Sequence, residues 1–161
     1  MNANMKEYVM NLLDGYHRRA REIALLRYEL AHPVRVTEQE MIGAMNFARQ
    51  TGMGHPEGHI SDKTFYIALN YQEQASRLND ETTGELSARL IALEREQARL
   101  EYYMSLLEPR QAQILRGIYI EKKPRETVAE EQGLSVRRLQ EVKALAVDNL
   151  TEMYDFTSML H

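Results

Sequence analysis

The stretch from Glu126 to Leu150, ETVAEEQGLSVRRLQEVKALAVDNL, narrows the fold of this chain more than any other. Ala129 is small enough for a following helix to cross its own, Gly133 can adopt the positive φ that ends a helix, and Ser135 can cap the next. Val128, Leu134, Leu139, Val142, Ala146 and Leu150 fall on one buried seam. The spacing predicts a helix-turn-helix. Val136, Arg137, Gln140, Glu141 and Ala144 then face outward, as on a helix that enters a major groove.

The preceding residues, LEPRQAQILRGIYIEKKPRE, add Pro109 to open a helix, the apolar pairs Ile114-Leu115 and Ile118-Tyr119, and a short basic turn. Together with Ala129, Gly133 and Ser135 these residues resemble the last helical domain of sigma-70-type factors, from Leu107 to Leu150. The resemblance implies a sigma region-4-like domain that reads upstream promoter DNA and touches RNA polymerase or activators. Gln132 stands where that family usually has an apolar residue, and Val136, Arg137, Gln140 and Glu141 do not reproduce its base-reading set. The scaffold carries over; the DNA target does not.

A net charge of −4 argues against coating DNA by bulk attraction, but the cations are unevenly placed. Lys122, Lys123 and Arg125 crowd the turn before the second helix of the motif, and Arg137, Arg138 and Lys143 follow Ser135 with Glu141 as the one acid among them. Double-stranded DNA is the expected partner. The expected contact set is Lys122, Lys123, Arg125, Ser135, Val136, Arg137, Arg138, Gln140, Glu141, Lys143 and Ala144. Arg137 suits a guanine edge, Gln140 an adenine and Glu141 a cytosine amino group.

The first 107 residues carry two more apolar seams. One runs Val9, Leu12, Tyr16, Arg19, Ile23, Leu26, Leu30; the other runs Leu86, Leu90, Leu93, Gln97, Leu100, Met104, Leu107, with Thr82 and Glu85 as a capping box at its start. Laid antiparallel, Val9 meets Leu107, Leu12 meets Met104, Tyr16 meets Leu100, and the one polar member of each seam meets the other, Arg19 against Gln97. A buried polar pair of this kind sets register. The expectation is an all-α chain: residues 1–107 form an antiparallel long-helix pair with short helices between, and residues 108–161 form the helix-turn-helix domain. Homodimerisation through one seam is the alternative use of these surfaces.

Between the seams, Thr37 and Glu40 form a capping box before Met41, Ala44, Met45 and Ala48. The glycines and proline of TGMGHPEGH, Thr51 to His59, interrupt regular structure, and Ser61 caps a helix carrying Phe65, Ala68, Tyr71, Ala75 and Leu78. This layout is similar to small transcription regulators of phages and prophages of the ArpU and RinA kind. That resemblance implies a phage late-gene activator acting with host RNA polymerase.

No enzyme activity is expected. His55 and His59 share the glycine-rich loop with Glu57 alone, cysteine is absent, and no Ser-His-Asp order, phosphate-cradling glycine motif or HExxH occurs. No cofactor or metal is implied. Without a long apolar run or a charged-then-apolar amino terminus, a cytoplasmic protein with no membrane partner is expected. Two rival classes are a phage small terminase subunit, which also joins a helix-turn-helix to an oligomerising helical unit, and a sigma-like module that binds only protein.

Overall fold

The structure, a computed structural model, describes residues 2–33, 39 and 62–161. Among them the chain is all-α: α1 (Ala3–Asp14), α2 (Tyr16–Ala31), α3 (Asp62–Ser105), α4 (Pro109–Leu115), a π-helical turn (Arg116–Ile120), α5 (Arg125–Gln132) and α6 (Val136–Ser158). The expected Thr37–Glu40 box, the helix carrying Met41 to Ala48, the loop with His55 and His59, and the Ser61 cap lie outside the described residues.

Two sequence expectations about the helices are corrected. The first seam is divided between α1 and α2 at Gly15, whose N–H donates to the Asn11 carbonyl at 2.9 Å. A Cβ at Gly15 would lie 3.0 Å from that carbonyl oxygen, so the break uses the room a glycine leaves. Thr82 and Glu85 start no helix, because α3 passes through them unbroken. The segment from Asn79 to Glu85 contains no proline, and capping side chains matter only where backbone N–H groups are otherwise orphaned. Compact packing groups residues 1–24 with 91–161, and separately residues 25–90.

Burial explains the first unit. Val9, Leu12 and Leu13 of α1, Leu100 and Met104 of α3, Leu107, Leu115, Tyr119, and Ala146, Val147, Leu150 and Tyr154 of α6 form one core cluster. Residues from both sides of the expected boundary thus share one interior. A helix with an apolar face must bury it somewhere, and α1 packs on the carboxyl half of α6. Lys6 adds an ion pair to Asp148 at 2.8 Å, and the Tyr8, Tyr103 and Tyr154 rings meet edge to face. Burial raises the Tyr154 hydroxyl above the usual phenol range.

Within this unit Arg19 and Gln97 meet. The Arg19 guanidinium donates from Nε to Gln97 Oε1 at 2.9 Å and from Nη2 to the Leu12 carbonyl, and the Gln97 amide donates to the Tyr16 carbonyl at 3.3 Å. Both side chains are buried. The break at Gly15 sets the cation over the carbonyl end of α1, where the helix dipole favours positive charge. The Tyr16 hydroxyl donates to Glu101 on α3. Leu93 is only half-buried, which lowers its expected share of the core energy.

In the second unit, residues 25–90, Leu26, Leu30, Leu86 and Leu90 are half-buried, and the Tyr28 and His32 rings stack with centroids 4.3 Å apart.

Candidate nucleic-acid interface

The helix pair at the carboxyl end is built by local chemistry. Pro109 occupies the first turn of α4, where its missing N–H costs nothing. The chain then tightens into the π-helical turn, in which the Glu121 N–H donates to the Arg116 carbonyl at 2.8 Å. His17 on α2 donates from Nε2 to the Ile120 carbonyl at 2.6 Å and so ties that turn to the amino-terminal helices. Gly117 lets α5 approach closely, since a Cβ there would sit 3.1 Å from Val128 Cγ2. Lys122 follows at φ 54°, a left-handed conformation that costs a residue with a Cβ about 1 to 2 kcal/mol.

α5 ends as its sequence requires. Gly133 has φ 65° and ψ 32°; its N–H donates to the Glu130 carbonyl at 3.1 Å, and the Leu134 N–H donates to the Ala129 carbonyl at 2.8 Å. This pair of bonds is a Schellman closure. Ser135 then takes extended backbone, and its Oγ accepts from the Arg138 N–H at 3.1 Å, capping α6. Three residues therefore turn the chain from one helix into the next. Ile114, Val128, Ala129, Leu139 and Val142 form a small core beneath the turn, with Leu134 and Ile118 against it. Gln132, where an apolar residue was expected from the resemblance, donates from its amide to Gln113 on α4 at 3.0 Å. Gly133→Ala is expected to lower unfolding free energy by about 1 to 2 kcal/mol, because open space surrounds the position and only the backbone angle resists. Chemical denaturation of the two proteins checks this.

Val136, Arg137, Arg138, Glu141 and Ala144 are exposed, and Gln140 is half-buried. Arg137 stands furthest out, its side chain 93% accessible. Lys122 and Arg125 are also exposed, and Lys123 is half-buried. The structure thus places most of the sequence-derived set at the turn before α5 and on the first turns of α6.

What the sequence did not disclose is how these groups are partnered. Glu141 bridges both arginines: Oε2 accepts from Arg138 Nη1 at 2.9 Å, and Oε1 lies 3.9 Å from Arg137 Nε. Lys123 binds Glu121 at 2.7 Å and Glu131 at 3.0 Å, and hydrogen bonding to Glu121 and then to Glu131 raises its pKa. With its oxygen turned toward Arg125, the Gln140 amide accepts from Nε at 3.2 Å and Nη1 at 3.0 Å. Its oxygen is therefore engaged, whereas pairing with adenine needs both ends of the amide. Lys143 does not stand out as a phosphate-seeking cation. It is half-buried with its ammonium 5.3 Å from the centre of the Tyr119 ring, and burial, then Arg125, lower its pKa against the opposing pull of Asp14. Of the cation set, Lys123, Arg137 and Arg138 are in ion pairs, whereas Arg125 faces the neutral Gln140 amide and Lys143 the Tyr119 ring, and Lys122 has no ion pair among the described residues.

Among the described residues no three His, Asp or Glu side chains gather as a metal site, and no helix is long and apolar enough to cross a membrane. No family model, no curated protein and no solved structure matches the chain.

Proposed function

We propose that the chain is a sequence-selective DNA-binding regulator of transcription, with the first turns of α6 entering the major groove. The observation that carries this reading is the turn itself. Gly133 and Ser135 close one helix and cap the next, while the small core holds the inner face of α6 and leaves Val136, Arg137, Arg138, Glu141 and Ala144 accessible. In this reading Arg137 reads a guanine edge, Glu141 accepts from a cytosine amino group, Ala144 and Val136 offer apolar contact, and Arg138, Lys122 and Arg125 serve backbone phosphates. Gln140 keeps its amide nitrogen as a donor while Arg125 holds its oxygen. The sigma-like layout supports action beside RNA polymerase, in the manner of a phage late-gene activator.

A second reading, a module that binds protein alone, draws on a different surface. An open groove between α4 and the end of α6 is lined by Leu106, Leu107, Met153 and Phe156 together with Glu108 and Glu152. Leu106 and Phe156 are exposed. The two readings separate in one experiment. Arg137→Ala with Arg138→Ala is expected to weaken binding to an enriched duplex and to flatten its salt dependence by about one unit, for the lost phosphate contact of Arg138. Both side chains are mainly exposed, so helicity by circular dichroism is expected to stay unchanged. If selection from random DNA enriches no motif, with or without polymerase, the protein-binding reading replaces this one. A ring of many subunits by solution mass measurement would point to packaging instead.

A further inference from the structure

We propose that Glu141 is a specificity gate on the α6 surface: it weakens attraction to arbitrary duplex by offsetting half of the charge of Arg137 and Arg138, and releases them only where a base edge donates to its carboxylate. The inference rests on the DNA-binding reading and adds a negative determinant to it.

Geometry supplies the first argument. The two oxygens of one carboxylate face two different guanidinium groups, at 2.9 Å from Arg138 Nη1 and 3.9 Å from Arg137 Nε, at helical spacings of three and four residues. Exposed ion pairs of this kind contribute little to folding. Their effect on a third charge is another matter. A phosphate oxygen brought to either arginine also comes within a few ångströms of the Glu141 carboxylate, whose repulsion offsets part of the attraction.

Lys123 follows the same pattern, held by Glu121 and Glu131, while Arg125 is oriented by the neutral Gln140 amide and Lys143 lies over the Tyr119 ring. With a net charge of −4, little unspecific pull remains. Discrimination then arises from unequal replacement. At a matching site an amino group of cytosine or adenine in the major groove supplies a donor to the carboxylate, and the arginines turn to phosphate or guanine. At a mismatched site the carboxylate faces acceptor atoms and stays on the arginines. Rejecting wrong partners by a misplaced charge is a general route to specificity.

The test compares wild-type protein with Glu141→Gln, which removes the charge and keeps the shape, and with Glu130→Gln, an equal charge loss at an exposed residue of α5 that pairs with neither arginine. Fluorescence anisotropy follows binding to a random-sequence duplex across a salt series. Glu141→Gln is expected to bind random duplex about five- to tenfold more tightly, with a steeper salt dependence, and to lose preference at one base position in selection. Glu130→Gln is expected to change random binding by less. Equal effects of the two substitutions, or no effect of Glu141→Gln while Arg137→Ala with Arg138→Ala weakens binding, overturns the gate and leaves the DNA reading standing. Failure of all four proteins to bind any duplex overturns the DNA reading and the gate with it.

Discussion

Gln97→Leu is expected to cost about 3 kcal/mol of unfolding free energy, the scale on which a buried charged group loses its hydrogen-bond partner. The reason lies in what the substitution leaves behind. Arg19 is 5% exposed, and its guanidinium donates to Gln97 Oε1 and to the Leu12 carbonyl. Without the amide, the guanidinium keeps its charge and its Nε loses its acceptor at a buried site. The Tyr16 carbonyl also loses the Gln97 amide donor. Arg19→Met made in the same protein removes the stranded charge, so the double variant is expected to lose less than the sum of the two single losses, by at least about 1 kcal/mol. Urea denaturation of the four proteins of this cycle measures the coupling. Additive losses would show that the two side chains do not depend on one another and that register is held by the apolar seam alone.

Leu150→Ala has the second large effect, about 2 to 5 kcal/mol, or a fall in melting temperature of roughly 5 to 15 °C. Leu150 is fully buried in the cluster that joins α1, α3 and α6. Truncation there opens a cavity between elements distant in sequence, and the cost grows with the volume the neighbours fail to fill. The half-buried Leu93 is expected to lose less on the same change. Because α6 carries both this core and the exposed amino-terminal turns, the substitution is also expected to weaken the proposed DNA binding as the temperature approaches the lowered transition. A loss below about 1 kcal/mol would mean that the amino-terminal helices do not hold α6 in place.

The features legible in the sequence were those set by a few neighbouring residues. Gly133 and Ser135 marked the end of α5 and the start of α6, because a left-handed residue and a capping hydroxyl act within one turn of backbone. Periodicity identified the seams through Leu12, Leu100, Met104 and Leu150, and the single polar residue on each of the first two placed Arg19 beside Gln97. Helical repeats expose such faces directly.

Tertiary structure decided what each face meets and which charges are already taken. Nothing local distinguishes an α6 that closes a small separate domain from one whose carboxyl half shares a core with α1, since both need the same apolar spacing. The capping box at Thr82 and Glu85 looked like a helix start, yet cooperative propagation through a segment without proline carried α3 across it. Lys123 and Glu131 are eight residues apart, Arg125 and Gln140 fifteen, Tyr119 and Lys143 twenty-four, so no helical spacing could pair them. The sequence determined which residues stand at the candidate interface. How much free positive charge that interface presents was decided by the fold, because electrostatic pairing depends on distance through space and not along the chain.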